Sequence, residues 1–256
     1  MRSKVLIYAD YGCSNINILE SGLREYFEPR KCTVDLTDAA GIISRNELNE
    51  NVLAFFMPGG AGTPFRRKLE VLGNEKIRDY VRNGGIYCGI CAGAYYACRR
   101  TIFEADIPEL KIISECGLNL IEGQAVGTLY KELGILPYAK NAGAAAAVEI
   151  EWQDKEKHLA HYHGGPYFEL DNPAEYEILA RYNFGEKPPA IVERRYHKGK
   201  VIISGVHFED SGQQLKKAIH CLRIDSGIAL QIADKLMARE NSRQALFDKI
   251  MSRSGR

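Results

Sequence analysis

Cys91 lies in the run Ile86-Tyr87-Cys88-Gly89-Ile90-Cys91-Ala92-Gly93-Ala94-Tyr95. Small residues two before and two after a nucleophile are what a sharp strand-to-helix turn needs, because side chains there would collide as the backbone folds back. Such a turn aims the first amides of a helix, and the positive end of its dipole, at the side chain on its tip. A sulfur nucleophile needs a base within hydrogen-bond reach, and the base needs an orienting group. Of six histidines, His207 stands out, in Ser204-Gly205-Val206-His207-Phe208-Glu209. It closes an apolar run, and in extended backbone residues i and i+2 point the same way, so Glu209 can hold its imidazole by Nδ1. Pro58-Gly59-Gly60 follows another apolar run. The amides of Gly59 and Gly60, with that of Ala92, form a candidate oxyanion hole. The chemistry is acyl transfer through a thioester: Cys91 attacks, His207 accepts and returns the proton, Glu209 orients it. Taken singly these are ordinary features, a tight turn, a histidine near a glutamate and a glycine pair. Their joint placement after apolar runs is what sets them apart.

The surrounding elements are those that put such residues along one edge. Val5 to Ala9 reads as a strand, Asn15 to Phe27 as a helix and Cys32 to Leu36 as a strand. Val52 to Met57 is apolar on both faces, as a central covered strand must be. Pro64 opens a long helix that stops at Asn83-Gly84-Gly85, and the strand to Cys91 follows. This alternation means crossover units and a parallel sheet, whose strand carboxyl ends gather side chains where ligands bind. From Leu118 to Tyr196 the pattern shifts to shorter strands: Ala145 to Trp152, His158 to Tyr162, Glu177 to Tyr182 and Ala190 to Tyr196. A hairpin turn at 197–200 leads into Val201 to Val206. Helices return over Gln213 to Leu222 and Ser226 to Arg239, the latter capped by Asp225 or Ser226, and Ser242 is read as capping a last helix. That helix carries Leu246, Phe247, Ile250 and Met251 as one apolar stripe, which should dock on its own domain or on a second subunit, as a homodimer or with a partner chain. The expected division is an α/β domain over 1–224 and a C-terminal helical extension over 225–256.

Composition sets the class. Among 256 residues, 45% are hydrophobic and 26% charged, and 34 basic against 33 acidic residues leave a formal charge of +1. No basic field argues for nucleic acid. The apolar runs fall far short of a membrane span, and the one at the amino terminus is too short for a signal peptide. Seven cysteines without a ladder of spacings, several in apolar segments, fit reduced buried thiols and a cytoplasmic protein.

Gly-Ile-Cys-Ala-Gly, Pro-Gly-Gly and His-x-Glu in this order resemble the class I glutamine amidotransferase superfamily. Within it the chain is most similar to the amino-terminal domain of certain biotin–protein ligases, a domain also found alone. The resemblance runs from about residue 4 to 210. It takes in Val5-Leu6-Ile7-Tyr8, Met57-Pro58-Gly59-Gly60-Ala61, Tyr80-Val81-Arg82-Asn83-Gly84-Gly85 and Cys91-Ala92-Gly93-Ala94-Tyr95-Tyr96-Ala97. It continues through Phe103-Glu104, Gly164-Gly165-Pro166-Tyr167-Phe168 and Leu179-Ala180-Arg181-Tyr182 to Ser204-Gly205-Val206-His207-Phe208-Glu209. It implies a Cys91–His207–Glu209 triad on a flavodoxin-like three-layer α/β fold with a mostly parallel central sheet. It also implies a substrate pocket at Tyr95, Glu104, His163, Gly164 and Gly165. Two positions depart from the amidotransferase pattern. Tyr95 stands where a glutamine that helps bind substrate glutamine is common, and Phe208 where proline is common. No run resembles the glycine–arginine-rich loop that holds biotinyl-adenylate, and the length leaves no room for the ligase catalytic domain, so biotin ligation is not expected.

The expected function is therefore a Cys–His–Glu hydrolase or amidotransferase-like enzyme acting on a small amide. The alternatives are a non-catalytic binding or regulatory protein using the same pocket, and a redox or glyoxal-detoxifying relative of the fold. The remaining candidates read plainly. His161-x-His163 puts two imidazoles on one strand face without an accompanying ligand pattern, so no metal is expected. Gly59-Gly60-Ala61-Gly62-Thr63 lacks the lysine of a phosphate loop, so no nucleotide or other cofactor is expected. Cys88 and Cys98 are read as core, the latter on the helix after Cys91. Cys13 is the one other thiol near the site edge, and Glu104 reads from its own sequence as a partly solvated helix end.

Overall fold

The computed structural model describes residues 2–222 and 227–255. Strands β1 (Lys4–Tyr8), β2 (Thr33–Thr37), β3 (Val52–Met57) and β4 (Ile86–Ile90) alternate with helices α1 (Ile16–Phe27), α2 (Ala39–Ile43), α3 (Gly62–Arg82) and α4 (Ala92–Ala97). The chain continues through β5 (Cys98–Phe103), β6 (Ile112–Glu115), β7 (Ile121–Gly127), α5 (Tyr130–Leu133), β8 (Ala145–Trp152), β9 (Lys157–His163), β10 (Tyr167–Leu170), β11 (Tyr176–Tyr182), β12 (Pro189–Tyr196) and β13 (Gly199–Ser204). It closes with α6 (Gly212–Leu222), α7 (Gly227–Met237) and α8 (Glu240–Ser254).

The main sheet has the order β2-β1-β3-β4-β13-β12-β11-β8-β9. Its first five strands are parallel in the flavodoxin order, with the chain reversing direction across the sheet between β1 and β3. Val5 and Ile7 enter one core cluster, shared with Leu19, Leu23 and Phe27 of α1. Leu6 and Tyr8 enter the other, shared with Phe65, Leu69 and Ile77 of α3. Both faces of β1 are therefore covered, and the fold has three layers. The last four strands pair antiparallel. β9 is the far edge of that series, yet His161 on it bridges to His207 just past β13. The antiparallel half must curl back on itself to make that contact, and this return carries residues of β9 to the carboxyl edge of the parallel half. A separate sheet, β10-β7-β5-β6, packs beside α4.

The structure corrects several expectations. Cys98 is not on a helix: α4 is only six residues long, and Cys98 opens β5, fully buried. α3 begins at Gly62 and is interrupted at Glu70, whose φ of 49° and ψ of −152° are not helical. Ser242 does not cap α8, which is preceded by Arg239. Ser242 lies inside the first turn, where its carbonyl meets His158 Nδ1 at 2.9 Å. Asp225, Ser226 and the 224/225 division lie outside the described residues. Leu246, Phe247, Ile250 and Met251 are buried in the core cluster that holds Val5 and Ile7, so the stripe of α8 packs on its own chain. No helix among the described residues is long and apolar enough to cross a membrane.

Candidate active site

Cys91 sits between β4 and α4 with φ 49° and ψ −104°, a left-handed conformation that a side-chain-bearing residue holds only when its surroundings enforce it. They do so here. The Cys91 amide donates to Ser204 O at 2.9 Å, tying the turn to the end of β13, and Gly93 N donates to Pro58 O at 3.2 Å, tying it to the end of β3. A Cβ on Gly93 would lie 2.1 Å from Met57 O, and one on Gly89 2.6 Å from Gly93 O. The small residues flanking the cysteine are thus imposed by backbone packed against backbone.

β13 lies beside β4, with Ser204 opposite Ile90, so the segment that follows it reaches the same edge. His207 is 4% exposed, and its Nδ1 stands 2.8 Å from Glu209 Oε1. A carboxylate oxygen accepts, so Nδ1 carries the proton and Nε2 is left to take one. The His207 amide donates to His161 O at 2.8 Å, which fixes the backbone under the ring. Phe208 is fully buried against Phe247 of α8, and Arg243 donates to Phe208 O at 3.0 Å. The C-terminal helix therefore clamps the residue between base and acid. Burial alone would lower the His207 pKa. The charge of Glu209, hydrogen bonding with Cys91 and Glu209, and the charge of Cys91 outweigh it and raise the imidazole well above its ordinary value. Burial lifts Glu209 itself, against the pull of His207.

Two further residues that the sequence did not single out as site residues complete this cluster. His161 Nδ1 is 2.7 Å from Asp210 Oδ2, and Asp210 is fully buried. Asn15 Nδ2 donates to Asp210 Oδ1 and Oδ2 at 3.4 and 3.3 Å. Burial opposes the charge of Asp210, but the His161 bond and the surrounding imidazoles hold its pKa below the ordinary carboxylate range. The His161 and His207 rings are 5.7 Å apart, so two acid–imidazole pairs stand side by side. The available signal was the adjacency of Glu209 and Asp210 together with His161-x-His163. Ligand atoms of His207, Glu209 and Asp210 lie within 4.8 Å of one another, but the two carboxylates are already committed to the two imidazoles.

The other expected residues separate into those at the cavity and those behind it. A cavity of about 190 Å³ opens beside the nucleophile, lined by Cys91, Gly60, Ala92, Tyr95 and Gly164 among others. Gly60, at φ +136°, forms a bridge with Cys13, and a Cβ there would lie 2.0 Å from Gly12 O. Among the described residues the Gly60 amide meets no acceptor, and Ala92, first residue of α4, has no intrahelical acceptor for its N–H. Gly59 does not line the cavity. It sits under the base, where a Cβ would meet His207 Cε1 at 2.7 Å and Cys91 Cβ at 3.6 Å. His163 is outside the lining too: its Nε2–H donates to Ala139 O at 2.8 Å, its pKa is lowered by burial, and its carbonyl accepts from Cys91 Sγ at 3.6 Å. Gly165 packs on Gly205, 1.8 Å from Gly205 O for a Cβ. Glu104 is not a solvated helix end. It follows β5, is 1% exposed, and Oε1 accepts from Thr128 Oγ1 and Tyr138 N, both at 2.7 Å. It thereby holds Tyr138 over the cavity. Cys13 donates to Tyr8 O at 3.5 Å, and burial pushes its thiol up to about 11.

Comparison with known proteins bears on the family and the fold. The family described as "Biotin-protein ligase, N terminal" matches residues 3–255. An uncharacterized protein of Chlamydia muridarum is 30% identical over 258 residues, covering 97% of this chain and 95% of that one. The biotin–protein ligase of Schizosaccharomyces pombe is 25% identical over 216 residues, 82% of this chain but 34% of the ligase. A glutamine amidotransferase of known structure from Thermotoga maritima superposes with a TM-score of 0.57 at 14% identity, over 99% of this chain and 98% of that one. At that identity the likeness concerns the fold, which is class I glutamine amidotransferase-like, as the sequence implied.

Proposed function

The chain belongs to the biotin–protein ligase N-terminal family, and on that premise we propose that it is a cysteine-nucleophile hydrolase or amidotransferase-like enzyme cleaving a small amide. Cys91 gives its proton to His207 Nε2, and Sγ bonds to the amide carbon. The Gly60 and Ala92 amides receive the developing oxyanion. The C–N bond breaks as His207 returns the proton to the departing nitrogen, leaving a thioester. Water, deprotonated by His207, then releases the acid, or an amine takes its place. Glu209 holds the Nδ1–H throughout. The observation that carries this reading is Cys91 at φ 49°, held against a buried His207–Glu209 pair.

A second reading, a non-catalytic binding or regulatory protein using the same pocket, is favoured by one contact. The Cys91 thiol also has a carbonyl acceptor, His163 O, which holds it as a donor. The pH dependence of Cys91 alkylation, located by peptide mass spectrometry in wild type and His207→Ala, separates the two. Fast labelling at pH of about 6.5, slowed at least tenfold in the variant, is expected for a histidine-activated sulfur. Labelling no faster than an ordinary thiol and indifferent to His207 would leave only the binding role.

A further inference from the structure

We infer that the Cys91 cavity selects amides with a flat apolar body, an anionic end and no cationic group. This rests on the amide-cleaving reading above and names its substrate class. The walls are Tyr95, Tyr96, Phe103, Ile112 and Tyr138. Tyr95 meets Phe103 edge-on at 5.8 Å, and Phe103 meets Tyr138 edge-on at 5.4 Å. Rings set this way present flat apolar faces, which suit a ring or planar chain and offer little to a short polar one.

The charges at the cavity have a single sign. Among the described residues Arg66 and Lys140 line it, and no Asp or Glu does. Arg66 donates to Ser114 Oγ at 2.8 Å and Glu115 O at 3.3 Å, both uncharged acceptors. Lys140 is exposed and has neither a hydrogen bond nor an ion pair among the described residues. Gly62 and Thr63, at the start of α3, line the same cavity. That helix has no side-chain cap and no acid in its first turn, so its dipole adds positive potential there. Two cations without acidic partners and an uncapped helix end, converging on an apolar cavity, form a place for one negative group.

Glutamine fails this test. Its ammonium would enter a cavity whose charged groups among the described residues are both positive, with no carboxylate there to receive it, and unpaired charge is costly away from water. Tyr95 reinforces the point, because its hydroxyl is used on Gly164 O at 3.3 Å.

The probes are para-(carbamoylmethyl)benzoate, phenylacetamide, which has the same ring and amide without the carboxylate, and L-glutamine. Calorimetry on the full chain carrying Cys91→Ala reads binding without turnover. The benzoate should bind about five- to tenfold more tightly than phenylacetamide at low salt, with the gap closing as salt rises, and glutamine should bind weakest. Lys140→Gln, at an exposed position, and Arg66→Gln should each narrow the gap between the two ring amides. Equal binding of the two ring amides, or glutamine binding as well as either, would overturn the proposal. Ammonia release from the benzoate by wild type is scored separately. Binding as expected without ammonia release or Cys91 labelling would keep the ligand class and remove amide cleavage.

Discussion

Cys91 is the meeting point of two unlike surfaces. On one side stand His207, Glu209, His161 and Asp210, all buried and paired acid to imidazole. On the other stands a cavity walled by Tyr95, Tyr96, Phe103, Ile112 and Tyr138, with charge among the described residues at Arg66 and Lys140 alone. The first surface is held by side-chain hydrogen bonds of 2.7 and 2.8 Å and by the clamp of α8 on Phe208. The second is held by ring packing and by Glu104 fixing Tyr138. The polar side can activate sulfur toward any carbonyl brought to it. Choice among carbonyls falls to the apolar side, so variants should separate the two in binding and in reactivity.

The largest separation is expected from Gly59→Ala. The new methyl would sit 2.7 Å from His207 Cε1, and the ring cannot retreat, being fixed by Glu209 through Nδ1 and by His161 through its backbone. Displacement of the base by a fraction of an ångström should slow Cys91 alkylation at neutral pH by about a hundredfold. Gly59 does not line the cavity, so calorimetry should find phenylacetamide binding unchanged. An alkylation rate within twofold of wild type would mean that His207 does not set the reactivity of Cys91. Burial pushes the nearby Cys13 thiol up to about 11, so it should not obscure the measurement.

Asp210→Asn probes the polar side through stability. Asp210 is charged in the folded state with a depressed pKa. Its contribution is therefore full above the ordinary carboxylate value of about 3.9 and is lost as pH falls through the lower native value. The variant should lose about 2 kcal/mol at pH 7, measured by urea unfolding, and the deficit should shrink below a pH of about 4. His207 acts in the opposite sense. Its raised pKa gives stability that is full below about 6.5 and lost as pH climbs through the native value, and this dependence should persist in the variant. A deficit that is the same at both pH values would mean Asp210 acts through shape rather than charge.

The two sides also differ in how much of them could be read beforehand. Cys91, His207 and Glu209 each sit in a local pattern that is itself diagnostic, an apolar run ending in a constrained turn or in an i, i+2 pair. Once the strand order places β13 beside β4, they must meet. The His161–Asp210 pair joins residues 49 apart and depends on the antiparallel half curling back, which no local pattern encodes. The cavity walls were harder still. β5, β6, β7 and β10 carry no strand pattern of their own: β5 is mostly half-buried without alternation, β6 is largely exposed, and β7 is punctuated by Gly123 and Gly127. The Ala-Tyr-rich stretch after Cys91 reads as a longer helix because nothing local marks Cys98 as the start of β5. Arg66 and Lys140, which come from distant segments, carried no signal at all.

Tyr95→Phe asks the smallest and most discriminating question. Tyr95 sits four residues after the nucleophile, is 6% exposed, and donates to Gly164 O at 3.3 Å. Its ring faces the cavity as part of the wall. If its role is to shape that wall, removing the hydroxyl should cost about 1 kcal/mol of unfolding free energy and leave both phenylacetamide binding and Cys91 alkylation within twofold of wild type. The Gly164 carbonyl would lose one donor while the apolar face stayed intact. A hydroxyl that reads substrate would behave differently: binding or turnover would fall tenfold or more with little change in stability. That result would move Tyr95 from the apolar surface to the polar one, and the division of labour across Cys91 would have to be redrawn.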